Sequence, residues 1–262
     1  MILVFDVGNT ETTVGLFEGE SLRGHWRITT DAARTPDEIG LTLRALLVAG
    51  EVPLTAVRGV AIGSVVPAMT DPLADACRAL FGGTPLVIDA RSELPITLDV
   101  LEPLTVGADR IINTLAASRI HGRDTIVVDL GTATTYDCIT AEGVFLGGVI
   151  APGVRSSAET LFRRTSKLPA TELVAPARTI GRRTEECIRA GVVFGAAEAV
   201  DGIVRRIRRE WPTPRTPLVI ATGGLAPMIA PLCETIDRVE PHLTLEGLRL
   251  AYALLGGAAS PE

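Results

Sequence analysis

Lysine is nearly missing from this chain. Of its 25 basic residues, 24 are arginine and only Lys167 is lysine. A Walker phosphate loop needs a lysine beside the phosphates, in the pattern GxxxxGK[ST]. Lys167 stands in Thr165-Ser166-Lys167-Leu168-Pro169, with no glycine loop before it, so a P-loop enzyme is excluded. A Schiff-base enzyme would have to use that same lysine, in what reads as an exposed turn. Cysteine is sparse too. Cys77, Cys138, Cys187 and Cys233 form no CxxC pair and fit reduced thiols of a cytoplasmic protein. The three histidines, His25, His121 and His242, make no HExxH or other metal pattern, which argues against a zinc hydrolase. No apolar run reaches the roughly 18 residues of a membrane span, and Asp6 comes too early for a signal peptide. No membrane partner is expected. The net charge of −6 and pI of about 5.2 argue against a general nucleic-acid binder. Arg205, Arg206, Arg208 and Arg209 cluster at the end of an expected helix, where cations complement the macrodipole.

What the chain does have is one short pattern twice. Asp6-Val7-Gly8-Asn9-Thr10 follows the apolar run Ile2 to Phe5 and precedes the alternating run Thr13 to Phe17. Asp129-Leu130-Gly131-Thr132-Ala133-Thr134 follows Ile126 to Val128 and precedes Thr135 to Ile139. Each reads as strand, acid, glycine turn and returning strand. Glycine lets such a turn come close to a ligand, and its amides can donate to phosphate oxygens. Thr10, Thr12, Thr13, Thr132 and Thr134 add hydroxyls. Asp6 and Asp129 sit where a carboxylate can hold a cation. One copy alone is an ordinary hairpin; two suggest a duplicated fold that clamps one nucleotide.

Strands alternate with helices through the remainder, which implies an α/β protein. Trp26 to Ile28, Val57 to Ile62, Leu86 to Ile88 and Leu218 to Ala221 read as strands. Thr35-Pro36-Asp37-Glu38 is a capping box opening a helix. Further helices are expected over 71–81, from Gly107 to about Arg119, over 154–164, from a cap at Thr184 to about Glu210, and over 245–255. Gly147 to Gly153 reads as a loop. Gly191 and Gly195 share one helix face and would allow close packing. Thr222-Gly223-Gly224 is a third glycine bend after a strand, suited to a flat adenine or ribose. Gly107-Ala108-Asp109-Arg110 places an acid and a guanidinium at a helix start. Asp109 there is either a dipole-stabilising acid or a general base, and Arg110 either a surface partner or an anion binder.

Asp6–Thr10, Gly107–Arg110, Asp129–Thr134, Gly147–Gly153 and Thr222–Gly224 stand in the order seen in type III pantothenate kinases. The chain resembles that family from residue 2 to about 255. The resemblance implies a duplicated ribonuclease-H-like, actin-like fold: two α/β halves, expected as 1–115 and 116–262, with the nucleotide cleft between them. It implies ATP-dependent phosphorylation of pantothenate to 4′-phosphopantothenate, the first step of coenzyme A biosynthesis. It also implies a homodimer, Mg²⁺ with ATP, and a monovalent cation, K⁺ or NH₄⁺.

Carried over by position, Asp6, Val7, Gly8, Asn9, Thr10, Glu11, Thr12, Thr13 and Thr132 would bind ATP, with Gly223 and Gly224. Asp109 would accept the substrate proton. Gly107, Ala108, Asp109, Arg110 and Thr184 would hold pantothenate. Asp129 would hold K⁺, and Asp6 would hold Mg²⁺ directly or through water. The 147–153 segment would lie near the dimer interface. The family often has a tyrosine where this chain has Val100, so a hydroxyl that contacts substrate is absent there. Glu11 adds an unexpected negative charge to the first turn. The nucleotide motifs alone leave two rivals: a kinase for another small acceptor, and a regulator that binds ATP without turnover.

Overall fold

The computed structural model describes residues 1–256. The first apolar run becomes β1 (Ile2–Val7), and the alternating run becomes β2 (Glu11–Glu18), followed by β3 (Ser21–Thr29). The capping box forms as expected. The Glu38 amide donates to the Thr35 hydroxyl, the Thr35 amide donates to the Glu38 carboxylate, and Pro36 starts α1 (Pro36–Ala49). Then come β4 (Gly59–Ser64), α2 (Pro67–Phe81), β5 (Leu86–Ile88), the short β6 (Thr97–Leu98) and α3 (Ala108–His121). Helix α2 starts at Pro67, earlier than the expected Asp71, because proline suits the first helical turn. Gly82, with φ of 79°, ends it in the left-handed conformation.

The first sheet runs β3-β2-β1-β4-β5, with β1 antiparallel to β2 and parallel to β4. Being central, β1 is covered on both faces, which explains its continuous apolar run. Leu3, Phe5 and Val7 pack with Ile39, Leu43 and Leu73 of α1 and α2. Val4 packs on the other side with Ile111, Ile112 and Leu115 of α3.

The pattern repeats in β7 (Thr125–Leu130), β8 (Ala133–Ile139), β9 (Val144–Pro152), α4 (Val154–Arg164), α5 (Thr184–Glu210), β10 (Leu218–Thr222), the short α6 (Ala226–Ile229) and β11 (Arg238–Val239). These strands run β9-β8-β7-β10-β11, with β7 antiparallel to β8 and parallel to β10. Strand order and direction therefore match the first sheet. Register matches too. Asp6 stands opposite Thr13 and Gly63, and Asp129 opposite Thr135 and Thr222. One face of β7 packs Ile126, Val128 and Leu130 against Val193, Val200 and Val204 of α5. At that helix's end Arg205 pairs with Glu234 and Arg208 with Asp237.

Three expectations need correction. The segment 147–153 is mostly strand: β9 pairs with β8 through Pro152, and Gly147 takes a φ of 102° beside an irregularity in that pairing. The single cut at 115 also differs from the packing. Contacts divide the chain into one compact unit of Met1–Arg119 plus the chain from Leu243, and a second of Ile120–His242. The last helix, α7 (Leu243–Leu255), returns to the first unit because Leu245, Leu248 and Ala251 pack beside Val4 and Ile112. Finally, no element among the described residues packs closely on Gly191 or Gly195. A Cβ at either meets nothing within 4 Å among the described residues. No helix among those residues is long and apolar enough to cross a membrane.

Two helical glycines give opposite expectations. A Cβ at Gly247 of α7 would lie 2.5 Å from the Ile112 carbonyl oxygen, so α7 must shift to accept one. A Cβ at Gly202 of α5 meets nothing within 4 Å. Gly247→Ala should destabilise the protein by about 1–3 kcal/mol through overpacking. Gly202→Ala should stabilise it by up to about 1 kcal/mol through helix propensity. Urea unfolding of both variants checks the contrast.

Candidate active site

The first turn is Gly8-Asn9-Thr10, between β1 and β2. It closes with the Gly8 amide donating to the Glu11 carbonyl at 3.1 Å. Gly8 is not among the positive-φ glycines; its role is space, since a Cβ would come 3.0 Å from that carbonyl. Asn9 and Thr10 are exposed, Val7 is buried, and Thr13 is half-buried opposite Asp6. The odd charge at Glu11 has a partner: its carboxylate lies 3.6 Å from the Arg27 guanidinium on β3. Thr12 is fully buried, and its hydroxyl hydrogen-bonds the Thr30 hydroxyl at 2.8 Å. The Thr30 amide also donates to the Thr10 carbonyl. Thr30 drew no attention in the sequence because it lies outside the Asp-x-Gly motif.

Asp6 is the penultimate residue of β1 and feels Asp109 at the start of α3. Removal from water and then the negative charge of Asp109 push the Asp6 carboxyl up to about 7. Burial also raises Asp109, while hydrogen bonding from the Arg110 amide and the Arg110 charge pull it back. That amide donates to Asp109 Oδ1 at 2.8 Å. Gly107 makes this fold-back possible: a Cβ there would lie 2.5 Å from Oδ1 and 3.3 Å from Val65. The Gly107 carbonyl accepts from the Arg110 and Ile111 amides, which starts the helix. Ala108 is buried behind the turn. Val100 is half-buried in a segment where Leu101 is fully exposed. The first unit thus gathers Asp6, the first turn, Gly107, Asp109 and Arg110.

The second unit carries the other predicted residues. The Gly131 amide donates to the Ala133 carbonyl, closing a turn that leaves Thr132 exposed. Gly223 has a φ of +88°, and a Cβ on it would lie 2.3 Å from Asp129 Oδ1 and 2.8 Å from the Leu130 backbone. It is therefore a floor under Asp129, while Gly224 is exposed. Gly153 is pressed against the turn just as closely; its Cβ would fall 2.0 Å from the Thr132 carbonyl oxygen. The Ser156 hydroxyl donates to that same oxygen at 3.0 Å. Thr184 is the exposed first residue of α5 and does not cap it, contrary to expectation. Arg183 holds the cap position without a side-chain bond, and the Glu186 carboxylate accepts from the Arg182 amide. No cluster of three or more metal-binding side chains occurs among the described residues. A cation bound at Asp6 or Asp129 would draw its other ligands from phosphate, backbone or water oxygen, as Mg²⁺ commonly does.

Residues 2–206 match the model of a family described as type III pantothenate kinase. The chain is 44% identical over 254 residues to a type III pantothenate kinase of Moorella thermoacetica, covering 96% of this chain and 98% of that one. It is 47% identical over 255 residues to one of Frankia casuarinae, with the same coverage. Among solved structures it resembles component A of (R)-2-hydroxyglutaryl-CoA dehydratase from Acidaminococcus fermentans. The TM-score is 0.57 at 14% identity, covering 99% of both chains. It also resembles the ROK hexokinase of Thermus thermophilus, with a TM-score of 0.51 at 12% identity, covering 98% of this chain and 99% of that one. The structural likenesses show the duplicated actin-like fold.

Folded Asp6 keeps its proton to about pH 7, whereas the unfolded chain releases it near 3.8. Metal-free stability therefore falls as pH rises across that interval, because the native state binds the extra proton. Asp6→Asn should stabilise the EDTA-treated protein at pH 8 and have little effect at pH 4. Urea unfolding at both values checks this; an equal effect at both would refute the shift. Gly107→Ala should displace the Asp109 carboxylate, a movable side-chain end, without breaking the helix. A fall in kcat of at least about tenfold, with Tm nearly unchanged, is expected.

Proposed function

We propose how these residues divide the work from one premise: the chain belongs to the type III pantothenate kinase family, and it phosphorylates pantothenate with ATP in the first step of coenzyme A biosynthesis. The observation that carries the residue assignment is the pairing of Asp6 with Asp109 and Arg110 in one unit, behind a turn of exposed backbone. Phosphoryl transfer asks a protein mainly for positioning and charge neutralisation. With lysine ruled out by the sequence, this chain must supply both by other means.

Asp6 to Thr13 and Thr132 bind ATP, chiefly through turn amides, and Gly223 and Gly224 give it bare backbone. Gly107 to Arg110 and Thr184 hold pantothenate, with the Arg110 fork on its carboxylate. Val100 contributes no hydroxyl. Asp109 accepts the proton of the primary hydroxyl as that oxygen bonds to the γ-phosphorus. The bond from phosphorus to the β,γ-bridging oxygen breaks, and ADP leaves. Burial raises the Asp109 carboxyl, and the Arg110 amide and charge pull it back toward the ionised form that accepts a proton.

The residues fit cations at two places. Asp6 beside Asp109 is a carboxylate crowded by another, which a divalent ion relieves, and we assign Mg²⁺ there, directly or through water. Asp129, seated on Gly223, is assigned K⁺ or NH₄⁺. Bound there, such ions supply the positive charge that a lysine provides in P-loop enzymes. The open Gly191 and Gly195 face of α5, with exposed Leu161 and Phe162 on α4, supports a homodimer contact through the second unit. Four free cysteines fit a reducing, cytoplasmic setting.

ATP consumption with and without pantothenate, in K⁺ and then Na⁺ buffer, tests the reading. Turnover should require pantothenate and K⁺. Asp109→Asn should fold normally and lose about 10²–10⁴-fold in kcat. Near wild-type turnover in that variant would remove Asp109 as the base, and K⁺-independent turnover would remove the cation assignment.

A further inference from the structure

Each turn is tied down by one hydroxyl residue placed just after the third strand of its own unit. In the first unit, Thr30 directly follows β3. Its amide donates to the Thr10 carbonyl at 3.0 Å, and its hydroxyl bonds the buried Thr12 hydroxyl at 2.8 Å. In the second unit, Ser156 lies in the first turn of α4, just past β9. Its hydroxyl donates to the Thr132 carbonyl at 3.0 Å, while Gly153 presses its backbone against the same oxygen. The tied carbonyl belongs in both cases to the exposed threonine of the turn. Resting on the reading that these turns bind ATP, we propose that Thr30 and Ser156 are positioning residues that hold the two turns in their phosphate-binding shape.

The physical case rests on what a short turn lacks. Asn9, Thr10 and Thr132 are exposed, so water competes for the backbone groups of both turns. The peptide unit is planar, so tying one carbonyl orients the whole plane, including the amide on its far side. A turn already set in shape loses less freedom when phosphate binds. The same contacts reassign Thr12. It faces the interior and bonds Thr30. Its hydroxyl therefore belongs to the brace, and Thr12 supports ATP without touching it.

Thr30→Val removes the hydroxyl and keeps the amide; Ser156→Ala removes the other tie. Kinetics with both substrates and calorimetric ATP binding to the Mg²⁺-loaded enzyme read the effect. Each variant should raise KM for ATP and weaken ATP binding about three- to tenfold, the scale of one net hydrogen bond. KM for pantothenate should stay within about twofold. Thr30→Ser and Ser156→Thr should restore the wild-type values. Thr12→Val should add nothing further in a Thr30→Val background.

Thr10→Ala and Thr132→Ala are the controls for the reading beneath the proposal. If these weaken ATP binding while the brace variants do not, the braces are refuted and the ATP turns stand. If neither set changes ATP binding, the ATP turns themselves are refuted. Equal rises in KM for both substrates would mean a general structural role and would also overturn the proposal. Should Thr30→Val fail to fold, Ser156→Ala decides, because its side chain is only partly buried in the first turn of α4.

Discussion

Bare backbone pressed against functional atoms is the constraint on which the rest of this structure depends. Gly107 lies where a Cβ would meet Asp109 Oδ1 at 2.5 Å, and Gly223 where one would meet Asp129 Oδ1 at 2.3 Å. Gly153 lies where one would meet the Thr132 carbonyl at 2.0 Å. At all three places the chain brings an acid or a turn into position by removing a side chain rather than by adding one. Only Gly223 and not the other two needs a positive φ, so space rather than conformational freedom dominates. The arrangement suits a ligand whose charged oxygens need close, fixed donors. It also suits a protein with no lysine in its glycine turns to reach across a gap.

The two units share strand order, direction and register, yet their acids meet different surroundings. Asp6 faces a second carboxylate, at the head of α3, and holds its proton to about pH 7. Asp129 instead rests on the glycine floor laid by the end of β10. Duplication thus accounts for the common frame, and the elements after each hairpin account for the difference. The first unit acquires Asp109 and Arg110 from α3. The second receives Gly153 and Ser156 from the junction of β9 and α4. One frame thus carries a pair of acids in the first unit and a single glycine-seated acid in the second.

The hairpins, the capping box at Thr35, the long α5 and the positions of Asp6 and Asp109 were legible in the sequence, because each rests on local pattern or short spacing. Contacts that depend on tertiary closure were not. Nothing near Leu243 signals that α7 returns to the first unit; its apolar face would suit either. The glycines of 147–153 read as loop because of their weak strand preference, which pairing with β8 outweighs. Thr184 looked like a cap by type, but the helix starts one residue sooner than a cap would allow. Glu11 looked misplaced until β3 brought Arg27 alongside. Thr30 and Ser156 carry no motif at all, and only the paired strands bring them to the turns.

The scarcity of lysine then gains a physical meaning. A lysine beside the phosphates would bring a permanent positive charge and would depress the pKa of nearby carboxylates. Here burial raises both acids; the Asp109 charge raises Asp6 further, and the Arg110 amide and charge oppose the rise only at Asp109. The metal-free Asp6 carboxyl is therefore partly protonated near neutral pH. On the proposed assignment, a cation bound at Asp6 would have to displace this proton, so its affinity would rise with pH up to about 7. On that same assignment, full ionisation of Asp6 would be linked to the arrival of the cation with its nucleotide.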